Sequence, residues 1–144
     1  MKISTKGRYA IRLMIDIAKH SNEGNVSLKE VSTRQNISLK YLEQIVNVLT
    51  KAGFVRSQRG AQGGYKMTRS PSEYTIGAIL RVTEGPMAPV DCLEDEVNQC
   101  PRAHICPTIR IWEGLYKVIN NYLDSITIAD LIDGEENPDF TYCI

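Results

Sequence analysis

Three cysteines, Cys92, Cys100 and Cys106, lie close together in the spacing Cys-x7-Cys-x5-Cys. Thiolates bind soft and borderline metals and build iron–sulfur clusters. They are also nucleophiles that oxidise readily once their pKa falls. The spacing lacks the Cys-x2-Cys pairs of zinc ribbons. Three chemistries therefore stay open on spacing alone: an iron–sulfur cluster, a zinc site, or a thiol–disulfide switch. His104 and the carboxylates Asp91, Glu94, Asp95 and Glu96 are the nearby donors for a fourth position. Cys143 stands alone in an apolar tail and reads as a packed thiol. His20 reads as a surface residue, and Trp112 and the tyrosines as core.

A second constellation can bind rather than react. Lys40, Glu43, Gln44, Asn47 and Lys51 share the polar face of one amphipathic segment. Each can pair with base edges or phosphates, as a helix lying in a major groove requires. Arg59 opens the glycine-rich run Arg59-Gly-Ala-Gln-Gly63, and an arginine at a hairpin tip suits a narrow, electronegative minor groove. No catalytic set accompanies these residues. The sequence has no Walker phosphate loop and no His-Glu-x-x-His. The glycines after Arg59 lack the order and the strand-to-helix setting of a dinucleotide fingerprint. The chain reads as a non-enzyme.

The elements that must position these residues are legible in order. Ser4 or Thr5 opens a first helix to about residue 19, apolar around most of its circumference and so buried on several sides. One side should meet the helix pair that follows, and the other the C-terminal helix, of the same chain or of a second subunit. Ser27-Leu-Lys-Glu30 is a capping box for a helix that turns Leu28 and Val31 inward. Asn36-Ile37 makes a turn with Ile37 as its apolar plug, and Ser38 caps the next helix. That helix buries Leu39, Leu42, Ile45, Val46 and Leu49 at offsets of three and four, and Gly53 ends it. Residues 54–58 and 64–68 read as the strands of a wing. Thr75 caps a short helix ended by Gly85-Pro86. Residues 87–107 show no period, which in a compact domain marks a functional or disordered segment. Pro107 at the first helical position opens the longest helix, to about residue 125. Its apolar face, Ile109, Trp112, Leu115, Tyr116, Ile119, Tyr122 and Leu123, finds no evident core in its own chain and reads as a dimer interface. Thr127 with Asp130 caps a last short helix, ended near Gly134. The fold class is mainly α: a winged helix-turn-helix DNA-binding domain over 1–86, a cysteine-containing loop over 87–107, and a dimerisation helix with a tail over 108–144.

Net charge is zero over 144 residues, with 17 basic and 17 acidic side chains, but it is divided. Residues 1–70 hold thirteen Lys and Arg against four Asp and Glu, and the remainder reverses those numbers. A basic half built on the helix-turn-helix is an electrostatic footprint for phosphate. No run approaches the roughly 18 apolar residues of a membrane span, and no secretory leader stands at the start. A cytoplasmic location with reduced thiols follows as the expectation.

The chain resembles the bacterial winged-helix regulators that include IscR, NsrR and CymR. The likeness rests on Lys6-Gly-Arg-Tyr-Ala10, Ile37-Ser-Leu-Lys-Tyr-Leu-Glu-Gln44, Arg59-Gly-Ala-Gln-Gly-Gly-Tyr65, Glu84-Gly-Pro86 and the three-cysteine loop. It implies a homodimeric repressor or activator on a near-palindromic operator in double-stranded DNA. Contacts would fall among Ser38, Lys40, Tyr41, Glu43, Gln44 and Arg59. It also implies that Cys92, Cys100 and Cys106 hold an iron–sulfur cluster, 2Fe-2S ahead of 4Fe-4S. The chain departs from IscR-like members in a longer gap between the first two cysteines and in Ile109, where they carry a histidine. It departs from NsrR-like members in Arg8, where they can carry an acid. Its opening residues and its Phe140-Thr-Tyr-Cys-Ile144 tail also resemble CymR, a repressor of cysteine metabolism without a cluster. The alternative function is therefore a CymR-like repressor controlled by a partner enzyme or by thiol oxidation.

Overall fold

The computed structural model describes residues 1–136; Cys143 and the 140–144 tail lie outside them. Helix α1 spans Thr5–His20, with the Ser4 hydroxyl accepting from the Gly7 N–H. Its Ala10, Leu13, Met14 and Ile17 are fully buried. They are surrounded by α2 (Leu28–Gln35), α3 (Leu39–Lys51), α4 (Ile76–Glu84), α6 (Ile128–Glu136) and the wing. The side of α1 away from the helix pair is thus covered chiefly by α4 and α6, not by the long helix α5 (Ile109–Asp124).

The local signals act as their chemistry requires. Ser27 accepts from the Glu30 N–H at 3.2 Å while the Glu30 carboxylate accepts from the Ser27 N–H at 3.1 Å. This reciprocal pairing holds the Glu30 carboxyl below its ordinary pKa. Asn36 ends α2 in the left-handed conformation, φ 52°, and Ile37 is buried behind it. Leu42, Ile45, Val46 and Leu49 of α3 enter the core. Leu39 does not. It is 41% exposed, because it begins the helix at the rim, where no neighbouring element covers the first turn.

Strands β1 (Val55–Gln58) and β2 (Gly64–Met67) form an antiparallel hairpin with Val55 opposite Met67 and Gln58 opposite Gly64. The buried Tyr74 hydroxyl donates to the Phe54 carbonyl at the hairpin root. The chain after α5 returns to the core of the first half. Ile128 is fully buried, the Ile76 N–H donates to the Ile126 carbonyl at 2.9 Å, and the Ile128 N–H to the Tyr74 carbonyl at 3.0 Å. Thr127 and Asp130 cap α6 reciprocally.

Helix α5 corrects the sequence reading twice. It begins at Ile109, two residues beyond Pro107, and the Thr108 side chain makes no capping bond. It also carries two apolar rows. Tyr116, Ile119 and Leu123 pack on the chain's own core. Ile111, Leu115, Val118 and Tyr122 stand exposed, at 60, 43, 64 and 56%. At about 100° per residue the two rows lie roughly 100° apart. The expectation that Ile119 faces outward was wrong, because its row is the one that α4 and the core cover.

Candidate nucleic-acid interface and cysteine loop

The polar row of α3 is presented to solvent: Lys40, Glu43, Gln44, Asn47 and Lys51 are exposed, and Ser38 caps the helix at its outer end by accepting from the Tyr41 N–H at 3.2 Å. Tyr41 is half-buried, its ring edge-on to Tyr9 with centroids 5.8 Å apart. The Arg12 guanidinium lies over the other ring, 5.1 Å from the Tyr9 centroid. Arg12 also donates to the Gln35 side chain at 3.1 Å and to its carbonyl at 2.5 Å.

The helix pair is held to α1 by a buried acid that the sequence reading did not single out. Asp16 is 2% exposed. It accepts from Arg34 at 2.6 and 3.2 Å and from Gln35 at 2.9 Å, with His20 Nδ1 3.6 Å away. Burial pushes its carboxyl up, but the hydrogen bonds from Arg34 and Gln35 and the Arg34 charge outweigh burial and leave the pKa lowered. The signal that could have found it is an acid on the apolar side of α1 with an arginine at the end of the following helix. Together Asp16–Arg34 and Tyr9–Tyr41 fix α1 against both helices of the helix-turn-helix.

Arg59 is exposed at the hairpin tip, beside Gly60. The tip is closed by the Gly63 N–H donating to the Gly60 carbonyl at 2.9 Å. A Cβ on Gly64 would lie 2.5 Å from the Val26 carbonyl oxygen, so only glycine lets the wing approach the start of α2.

The cysteine segment is irregular apart from short 3-10 turns at Asp91–Leu93 and Ala103–Ile105. Cys100 is exposed, Cys92 and Cys106 are half-buried, and all three are free thiols. The Thr108 hydroxyl accepts from the Trp112 indole N–H at 3.3 Å and sits 3.5 Å from the Cys106 sulfur. That side chain, then the Thr108 backbone, lowers the Cys106 pKa. Three accessible thiols, one already biased toward thiolate, are a donor set suited in chemistry to a cluster. Among the described residues no three His, Cys, Asp or Glu side chains stand close enough to hold one metal ion. Cys92, Cys100 and Cys106 are thus not gathered with one another, nor with His104 and the loop carboxylates.

The helix that follows the segment is held near its C-terminal end, and the segment itself is held at its start. At its start the Glu84 carboxylate accepts from the Ser4 N–H, the Ser4 hydroxyl and the Gly7 N–H. A Cβ at position 7 would collide with that carboxylate. Beyond the segment, Arg81 of α4 holds Asn120 and Asp124 near the C-terminal end of α5. No helix among the described residues is long and apolar enough to cross a membrane.

Residues 3–134 match the model of the family described as "Rrf2: Iron-dependent Transcriptional regulator". The HTH-type transcriptional regulator CymR of Bacillus subtilis is 45% identical over 140 residues, covering 94% of this chain and 95% of the relative. The solved structure of CymR (YrzC), the global cysteine regulator of B. subtilis, aligns with a TM-score of 0.77 at 44% identity, over 92% of this chain and 97% of that one. The T. potens IscR structure aligns at 0.76 with 40% identity, over 99% and 94%. Protein rrf2 of Nitratidesulfovibrio vulgaris is 41% identical over 133 residues, 92% of this chain and 87% of the relative.

Proposed function

This chain belongs to the Rrf2 family of transcriptional regulators, and within that family we propose that it is a homodimeric, cytoplasmic repressor whose operator affinity is set by an iron–sulfur cluster on Cys92, Cys100 and Cys106. The observation that carries this reading is the position of the three free thiols: they fall in the segment that joins the DNA-binding head to α5. The bound cluster, 2Fe-2S before 4Fe-4S, would supply a redox- and ligand-sensitive centre that is lost or altered under stress.

The chain's own residues do the rest. Ser38, Lys40, Tyr41, Glu43 and Gln44 of α3 meet base edges and phosphates in the major groove, and Arg59 enters the adjacent minor groove. The exposed row Ile111, Leu115, Val118 and Tyr122 pairs two chains, so two heads read a near-palindromic site in double-stranded DNA. Gathering the three thiolates requires residues 87–107 to take a different path between α4 and the start of α5. Dimers with the gathered and the open loop then differ in DNA affinity, and loading shifts the population between them.

The second reading, a CymR-like repressor of sulfur metabolism without a cluster, is favoured by the 45% identity to CymR and by the thiolate-biased Cys106. Purification without oxygen, followed by iron and sulfide analysis and a visible spectrum, decides between them. The cluster reading requires stoichiometric iron and sulfide with a visible band. Colourless, iron-free protein that still binds its operator and loses it on thiol oxidation requires the second.

A further inference from the structure

A hairpin of two four-residue strands is a poor platform by itself, since isolated hairpins are at best marginally stable in water. Arg59 nevertheless has to arrive at one groove while α3 occupies its neighbour. The support comes from the residues just before α2. Val26 pairs with Tyr65 in both directions, at 2.9 and 2.7 Å, and so adds a third strand segment to the wing. Its neighbour Asn25 reaches across the tip. The Asn25 amide nitrogen donates to the Gln58 side-chain oxygen at 2.8 Å and to the Gln62 backbone carbonyl at 3.3 Å. Gln58 immediately precedes Arg59, and Gln62 closes the other arm. One side chain thus ties both arms of the loop that carries the arginine. The backbone carbonyl can only accept, which fixes the amide orientation.

The same short run then continues into the Ser27–Glu30 capping box that starts α2. Wing and helix-turn-helix are therefore measured from one stretch of backbone, Asn25 to Glu30. We propose that Asn25 is a positioning residue for DNA recognition: its amide holds the Arg59 loop at a fixed distance from the recognition helix, so that both reach the duplex without further ordering. Binding that would otherwise immobilise a mobile arginine loop avoids that cost. The inference rests on the reading of Arg59 as the wing contact.

The test uses the full-length protein and a duplex selected by the native protein from a random-sequence pool. Leucine at position 25 keeps the volume, removes both donors and adds no charge. Asn25→Leu should weaken binding about tenfold, the equivalent of one to two modest hydrogen bonds. Arg59→Ala should weaken it at least as much. The double variant should bind like Arg59→Ala alone, because a residue that acts only through the arginine has nothing left to position. A merely structural role would add its loss in both backgrounds, and that additive result overturns the proposal. Native-strength binding by Asn25→Leu alongside a weakened Arg59→Ala overturns it too. Unchanged binding by Arg59→Ala removes the wing contact itself, a different failure. Should Asn25→Leu melt below the native protein, amide exchange in the DNA-free state decides. Faster exchange at Gly63 with α2 and α3 unchanged supports the proposal, and native exchange at Gly63 refutes it.

Discussion

Replacing Val118 by aspartate tests the dimer face at the residue where it is most open. Val118 is 64% exposed in the single chain, and Ile111, Leu115 and Tyr122 beside it are 60, 43 and 56% exposed. Fully burying an aliphatic side chain is worth about 1.5–3 kcal/mol, so covering the part of Val118 now in water contributes about 1 kcal/mol per protomer. A carboxylate in its place forfeits that gain and adds about 1–3 kcal/mol for a buried polar group without a partner. A two-fold axis doubles both effects. The sum is about 4–8 kcal/mol per dimer, or roughly three to six orders of magnitude in the dimer dissociation constant.

Sedimentation velocity at micromolar concentration should show the native protein as a dimer and Val118→Asp as a monomer. The melting of the monomer's secondary structure should remain close to native, because Val118 lies outside the chain's own core. The neighbouring Ile119→Asp is the instructive contrast. Ile119 packs on the core of its own chain, so that variant should lose stability as well. On a palindromic duplex, Val118→Asp should lose most of its affinity while its residual binding to a half-site persists. A dimer of undiminished affinity in Val118→Asp at neutral pH would refute the assignment of this row to the interface.

The remaining expectations concern the head and the loop. Asp16→Asn leaves Arg34 without its anion; because Arg34 is 33% exposed, the cost should fall below that of a fully buried pair, at about 2 kcal/mol by denaturant titration. Since the folded Asp16 pKa is lowered, its stabilisation is complete above the ordinary carboxylate pKa and is lost as pH falls through the folded value. Asp16→Asn should therefore flatten the acid limb of the stability profile, and an unchanged limb would count against the ion pair. Cys92→Ala, Cys100→Ala and Cys106→Ala should each lose most of the iron and sulfide bound after anaerobic reconstitution, while Cys143→Ala keeps it; full content in Cys100→Ala would remove that residue from the ligand set. Glu43→Ala should relax base preference at one symmetric pair of operator positions, at a cost of about 1–3 kcal/mol for the native base, and an unchanged selected sequence would free Glu43 of that role.

What was legible in the sequence is what is written within a few residues. The Ser27–Glu30 and Thr127–Asp130 caps, the Asn36–Ile37 turn and the strands around Arg59 each depend on neighbours in the chain, and each forms as expected. What was missed depends on distant partners. Asp16 was not singled out, because Arg34 lies eighteen residues on. Glu84 meets Ser4 across eighty residues. On α5 the two apolar rows share the same helical period, and only the docking of α4 distinguishes the covered row from the open one. Asn25 carried no signal, since a turn asparagine is common and its partners belong to the wing.

These long-range contacts constrain how the loop can influence the head. Residues 87–107 leave from Glu84 and arrive at α5, and Glu84 and Arg81 sit one turn apart on α4. Glu84 grips the start of α1, and Arg81 grips the end of α5. A change in the loop's path therefore pulls at one end on Glu84 of α4, a helix fixed by Ile79 and Leu80 in the core, and at the other on the N-terminal end of α5, away from the Arg81 clamp. Moving the helix-turn-helix against α1 would require breaking Asp16–Arg34 and Tyr9–Tyr41, a partly buried ion pair and an aromatic contact at once. Tilting α5 about its clamp at Asn120 and Asp124 breaks neither. The lower-cost response to gathering Cys92, Cys100 and Cys106 is thus a change in how α5 presents Ile111, Leu115, Val118 and Tyr122 to a second chain. Regulation by that route alters the spacing of two intact heads, and a half-site, which needs only one head, should be bound equally well in either state of the loop.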